Sequence, residues 1–297
     1  MTARLWGLML LLSLAWGCSF LFMHLSLEAW PPLTVVLSRV VLASLLLWLL
    51  VAAERRRLPL TRPVLVACLG MGLLNNVIPF TLLMWGQTMI PSGLASVVNA
   101  VTPVFTAVVA HLATADEKLT GPRLAGVLTG LLGVGVLAGP AAFSGGVEFH
   151  GILLGLGACA SYALAAVWGR RFRRLSVAPV AAAAGQTSAS TLMVLPLVLV
   201  FDATSMLPWP APQALVAILG LGLVSTGIAY ALFFRILDAG GATASALVTQ
   251  IAPVSAILLG AAILGEALLP RHFLGMALIA SGFALLDERV LRSLRRP

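Results

Sequence analysis

Long apolar runs, with charge confined to the gaps between them, constrain this chain more than any other feature. The runs fall at 4–23, 33–53, 63–85, 92–113, 121–138, 151–169, 179–201, 213–235, 242–264 and 271–287. Each approaches the roughly 20 residues that an α-helix needs to cross a hydrocarbon core. Pro31, Pro32, Pro63, Pro122, Pro208, Pro212 and Pro270 stand near the run ends, where a missing N–H costs least. Only 9% of the residues are charged and 60% are hydrophobic, whereas ordinary globular domains carry about 25% charge. A water-soluble enzyme is thereby excluded, and the connectors are too short to hold a separate soluble domain. The run after Arg4 continues to Met23 and has a counterpart later in the chain, so it is expected to be a retained first span and not a cleaved signal.

The formal net charge of +8 would suit a nucleic-acid binder if the basic residues formed one surface. Instead they sit in short clusters between spans, where they act as orientation signals. Ten spans place all eighteen Lys and Arg residues on one side except Arg39, inside the second span, and Arg271. The positive-inside rule then predicts cytoplasmic N- and C-termini. Cys18, Cys68 and Cys159 fall in apolar segments with no CxxC pair, which reads as packing, with no disulfide, metal or cofactor implied.

The two halves repeat at an offset of about 150 residues, measured by aligning "LVACLGMGLLNNVIPFTL" at 65–82 with "LVAILGLGLVSTGIAYAL" at 215–232. The polar positions carry most weight in so skewed a composition. Asn75-Asn76 aligns with Ser225-Thr226, Phe80 with Tyr230, Asn99 with Thr249, and Pro103 with Pro253; one residue of slippage then pairs Glu117 with Glu266, Gly126 with Gly275 and Gly133 with Gly282. Repeats of five spans, an odd number, must enter the membrane in opposite senses. The loops agree: 55–62 is arginine-rich where 202–211 has neither Lys nor Arg, and 24–32 is bare where 170–174 is basic. The expected architecture is an all-α polytopic membrane protein, ten transmembrane helices as two inverted five-helix repeats, 1–140 and 149–290. Inverted repeats of this kind mark secondary transporters, with the site at the repeat interface near the midplane.

Every Asp and Glu lies in a loop or at a helix end, Asp287 being the last residue of its run. A proton antiporter working through an embedded carboxylate, or an organic-cation pump with an acidic counter-ion, is therefore disfavoured. One embedded cation, Arg39, is too few for phosphorylated cargo. The expected substrate is a small neutral or zwitterionic molecule. Asn75, Asn76, Ser225 and Thr226, mid-span in the third and eighth runs, can bind such a solute or hydrogen-bond helix to helix. Asn99, Thr102 and Pro103, with Thr249, Gln250 and Pro253, form a second symmetric set, in which each mid-span proline frees the carbonyl four residues earlier. Trp16, Phe20, Phe80, Tyr162 and Tyr230 are candidates for a cavity wall or for core packing, while Trp85 and Trp168 at span ends read as interfacial anchors. Arg39 can meet a substrate carboxylate or snorkel to the interface, and Gln186 is its approximate counterpart in the seventh span. Gly126, Gly130 and Gly133 form a small-residue stripe suited to packing, and the chain is expected to be a monomer or weak dimer in the lipid bilayer. An intramembrane enzyme is excluded by the absence of GxSxG, HExxH and buried acids.

The segments "AWGCSFLF", "PVFTAVVAHLATADEKLTGPRLAGVLTGLLGV" and its echo "PVSAILLGAAILGEALLPRHFLGMALIASGF" resemble EamA domains of the drug/metabolite transporter superfamily. The resemblance covers essentially the whole chain and is greatest to bacterial exporters of the YddG type, which move aromatic and other amino acids outward. It implies a central cavity between two halves, alternating access and a place in the bacterial inner membrane. Small multidrug pumps of the superfamily carry a glutamate in span one, and this chain has none, which points to facilitated export. The alternative is a broad-specificity drug or other metabolite exporter of the same superfamily.

Overall fold

The computed structural model describes the backbone of residues 3–113, 121–139, 146–202, 209–267 and 269–286; the side chains at 123, 137–138, 237–238, 240–247, 250, 283 and 286 lie outside that description. Glu117, the C-terminal arginines and the side chain of Gln250 therefore fall outside the described residues. Within them the chain is helical, with no strand. The helices are α1 (Ala3–Leu27), α2 (Pro32–Ala53), α3 (Arg62–Gln87), α4 (Ser92–Ala113), α5 (Gly121–Ala138), α6 (Val147–Arg174), α7 (Pro179–Phe201), α8 (Pro212–Ile236), α9 (Ile251–Leu264) and α10 (Pro270–Leu286). Among the described residues, seven (α1 to α4 and α6 to α8) are long and apolar enough to cross a membrane, and Leu124–Val136 and Ile251–Leu264 are shorter apolar helices.

Element ends follow the expected signals. Proline opens α2, α3, α7 and α8 at the first or second helical position. The sixth run proves longer than its apolar core, since α6 continues through Arg170–Arg174. Cationic side chains are favourable at a helix C-terminus, and the Arg171 guanidinium lies 3.5 Å from the centre of the Trp168 ring, so the helix persists into the basic cluster.

Between α8 and α9 the backbone is helical throughout, as one run Ala229–Leu264. That run cannot be straight. Ser225 Oγ donates to the Ala15 carbonyl and Ser13 Oγ to the Val248 carbonyl. A straight helix would hold residues 225 and 248 about 35 Å apart, yet they meet neighbouring turns of α1. The chain therefore reverses between Ile236 and Val248, and α8 and α9 both pack along α1. Leu5, Met9, Leu12, Ala15, Ala229, Leu232, Ile236 and Val248 fill that seam.

Two further features are invisible to apolar periodicity. First, α3 and α8 each contain a π-helical segment, Leu73–Val77 and Gly220–Ile228. The extra residue in such a turn shifts side chains and marks functional sites more often than ordinary helix does. Both segments carry the aligned polar pairs. Second, α4 is interrupted at 100–101, between Ser92–Asn99 and Thr102–Ala113, whereas the run containing Pro253 continues unbroken.

Packing is reciprocal across the repeat. Helix α2 lies against α7, and α5 lies against α10. In the α5–α10 seam a Cβ on Gly133 would stand 2.8 Å from the Gly275 carbonyl oxygen, and one on Gly282 would stand 2.7 Å from that of Gly126. Each glycine thus faces the counterpart of the other's partner, and only glycine permits so close an approach.

Candidate functional site

Several interior polar side chains converge where α2, α3, α7 and α8 meet, while Ser225 turns to the Ala15 carbonyl of α1. Asn76 and Thr226, in the two π segments, are buried, as are Ser225 and Gln186. Asn75 Nδ2 donates to Tyr230 Oη at 3.0 Å, Tyr230 Oη donates to Asn76 Oδ1 at 2.8 Å, and Asn76 Nδ2 donates to Ser190 Oγ at 2.9 Å. Ser190 Oγ in turn donates to the Gln186 carbonyl at 2.7 Å. This relay joins α3 to α8 on one side and to α7 on the other. The widened π turn of α3 puts adjacent residues, Asn75 and Asn76, on one hydroxyl.

On the other side of the interface α2 delivers Arg39, which is only 6% exposed. Its Nε donates to Thr226 Oγ1 at 2.8 Å, Nη1 approaches Met23 Sδ at 3.8 Å, and the guanidinium carbon lies 3.6 Å from the centre of the Phe80 ring. Tyr162 and Tyr230 are within electrostatic range of it. Arg39 points into the bundle, with these contacts on α1, α3 and α8. Equivalence with Gln186 shows in the backbone: the Arg39 carbonyl lies over Gly222 and the Gln186 carbonyl over Gly72, an aligned glycine pair.

A third group surrounds the break in α4. Thr102 Oγ1 donates to the Asn99 carbonyl at 2.7 Å, so the oxygen freed by Pro103 is already satisfied locally. Cys159 Sγ approaches the Val98 and Asn99 carbonyls, and Asn99 Oδ1 is buried with no donor. Tyr162, one turn beyond Cys159 on α6, is within electrostatic range of both Cys159 and Arg39.

The remaining candidates are not brought into this network. Trp16 packs on Phe233 with ring centroids 5.8 Å apart, in the α1–α8 seam. Phe20 is buried in the core, and its carbonyl accepts from Gln87 Nε2. Pro253 is buried on α9, whose neighbouring Ala252 and Ser255 pack over Gly17 of α1, and Thr249 lies one turn before it. Several interior polar residues carry no signal in apolar periodicity. Ser190, Ser161 (donating to the Leu74 carbonyl) and Gln87 read as small or isolated polar residues within apolar runs.

At the arginine-poor face two carboxylates hold helix N-termini. Glu266, after α9, accepts from the Ser92 and Gly93 amides at 2.6 and 2.8 Å, and Asp202, after α7, accepts from the amide and hydroxyl of Thr34 at 3.0 and 2.8 Å. A carboxylate at a helix N-terminus satisfies orphan donors and complements the dipole. Both bonds run from the second half of the chain to the first. Glu54, which follows α2 as Asp202 follows α7, is exposed. Elsewhere an apolar groove of about 500 Å³ between α3 and α6, lined by Leu82, Trp85, Met89, His150, Leu153, Leu154 and Gly157, includes none of the network residues. Among the described residues no group of His, Cys, Asp and Glu could hold a metal ion.

A multi-pass helical bundle with its polar network between two halves has the architecture of a secondary transporter. The chain matches the EamA-like transporter family over residues 5–139 and again over 149–286, and it belongs to that family. It is 29% identical over 284 residues to the uncharacterized inner membrane transporter YedA of Escherichia coli (strain K12), covering 95% of this chain and 90% of that one. It is 27% identical over 286 residues to a probable amino-acid metabolite efflux pump of the same organism, covering 93% and 92%. A solved crystal structure superimposes with a TM-score of 0.71 over 100% of both chains at 22% identity, which shows a shared fold.

Proposed function

We propose that this protein is an inner-membrane exporter of small neutral or zwitterionic metabolites, amino acids including aromatic ones among them. It works by alternating access between two inverted five-helix repeats, 1–140 and 149–290, as a monomer or weak dimer. The observation that carries the reading is the pair of π segments at repeat-equivalent positions, whose Asn75-Asn76 and Ser225-Thr226 pairs meet the opposite half. Reciprocal glycine contacts in the α5–α10 seam support the two-fold relation, and the folded-back run Ala229–Leu264 supports ten crossings. Both relatives described are named as transporter or efflux pump, one of them for amino-acid metabolites.

Polar groups that bond to each other in the closed interface exchange those bonds for a polar solute when the halves part. Such bonds are individually weak in membranes, about 0.6 to 2 kcal/mol, so the exchange is accessible to a ligand. No carboxylate is described within the interface, and transport is accordingly facilitated, running down the substrate gradient. Purified protein in liposomes should take up labelled threonine, methionine or phenylalanine saturably and only to equilibrium. Uphill accumulation driven by a pH gradient alone would overturn facilitated transport. No uptake of any of the three by folded protein would overturn the amino-acid assignment.

A further inference from the structure

Arg39 is a buried cation whose hydrogen-bonding capacity is mostly unused. A guanidinium has five N–H donors in a rigid fork. Here Nε has a hydroxyl, Nη1 has only a thioether sulfur at 3.8 Å, and Nη2 has no hydrogen-bond partner among the described residues. One face of the group is covered by Phe80, which leaves the Nη edge as its free side. Among the described residues no carboxylate lies within ion-pair distance of it. Asp202 and Glu266 are committed to helix N-termini at the arginine-poor face, and Glu28 and Glu54 are exposed. A charge held this deep without a counter-ion is costly, and membrane proteins keep such groups where a partner arrives.

We propose that the Nη edge of Arg39 is the anchor for a substrate carboxylate, and that a free carboxylate is the group this transporter requires of its cargo. The proposal deepens the exporter reading and rests on it. A carboxylate fits the fork with two parallel charge-assisted hydrogen bonds and supplies the missing negative charge. Among the described residues Asn99 Oδ1 is one of the buried side-chain atoms without a hydrogen-bond partner, and it is an acceptor. The Asn99 carbonyl accepts from Cys159 Sγ, which stands one turn before Tyr162 on α6. An amide oxygen there receives an ammonium or any other donor. It discriminates less than a guanidinium does, so the carboxylate is indispensable and the amine is not. Net charge favours the same order: a carboxylate neutralises the site, whereas an amine without one adds a second positive charge to it.

The test uses full-length protein in liposomes and whichever of threonine, methionine and phenylalanine it carries. Uptake of that amino acid is competed with its own carboxamide, which keeps the amine, and with its des-amino acid, which keeps the carboxylate. The des-amino acid should compete with a half-inhibitory concentration close to that of the parent. The carboxamide should be at least about tenfold weaker, as expected of a site that loses a designed polar contact. Carboxamide competing as well as the parent would overturn the anchor while leaving the exporter standing. Failure of all three amino acids to be carried would overturn both. Arg39→Lys, which keeps the charge and loses the fork, should raise the half-saturation concentration about tenfold without changing the maximal rate. An unchanged half-saturation concentration in that variant would also overturn the anchor, and the ligand series on the unmodified protein decides the matter if the variant does not fold.

Discussion

Thr226 is the acceptor that makes Arg39 tolerable about 10 Å inside the bundle. Its Oγ1 accepts from Arg39 Nε–H and donates to the Leu221 carbonyl within the π segment. Thr226→Val keeps the shape and removes both bonds, leaving a buried charged donor unsatisfied. The expected cost is about 1 to 3 kcal/mol, read as a lower midpoint of thermal unfolding in detergent, with Thr226→Ser close to the parent. Tyr230 is the other pivot, since its hydroxyl both accepts from Asn75 and donates to Asn76. Tyr230→Phe should slow transport about tenfold while leaving the helical content measured by circular dichroism unchanged, because the lost bonds correspond to roughly 1.4 kcal/mol or more. At this scale the sequence supplied the cast: Asn75, Asn76 and Tyr230 share one relay, and Thr226 and Phe80 meet Arg39, whereas Ser225 bonds α1. It did not supply the partners. Ser190, Ser161 and Met23 have no distinguishing side-chain chemistry, and they enter only because helices from distant parts of the chain bring them there.

Among elements, the α5–α10 seam offers a test of symmetry as well as of packing. Gly133 and Gly282 each approach a backbone carbonyl of the facing helix too closely for a Cβ, at nearly equal distances of 2.8 and 2.7 Å. Gly133→Ala and Gly282→Ala should therefore destabilise by similar amounts, each about 1 to 3 kcal/mol, in the same thermal assay. A large effect at one and none at the other would contradict the two-fold relation of the seam. The N-terminus of α4 makes a second prediction. Glu266→Ala leaves the Ser92 and Gly93 amides without their acceptor, so hydrogen exchange at those positions should rise at least about tenfold. The apolar runs forecast most helix limits to within a few residues. They did not forecast the π segments or the break at 100–101, because a π turn changes hydrogen-bond register without changing which residues are apolar.

For the whole molecule, the distribution of Lys and Arg gives an orientation that labelling can check. Trp209 is 85% exposed in the arginine-poor connector before α8, and Arg56 lies in the exposed arginine-rich one after α2. In intact cells a membrane-impermeant thiol reagent should modify Trp209→Cys directly and Arg56→Cys only after permeabilisation. The reverse pattern would invert the topology. The native cysteines interfere little, since Cys68 and Cys159 are buried and Cys18 is partly so.

What the sequence by itself determined was membrane residence, helical class, the repeat and the absence of acids from the spans. Each of these follows from composition and spacing along one dimension, because the bilayer requires apolar length and internally satisfied backbone. Only the tertiary structure decided which polar groups face each other. It turned Arg39 toward Thr226 and Phe80, satisfied the Asn99 carbonyl with Thr102, placed Trp16 against Phe233, and set Glu266 on the start of α4. Apart from the local Thr102 bond and the Arg39–Phe80 contact, these outcomes depend on contacts between residues 173 or more positions apart, where helix rotation and crossing fix which side chain meets which. Apolar periodicity tells a helix that it must be buried, and packing alone tells it against what.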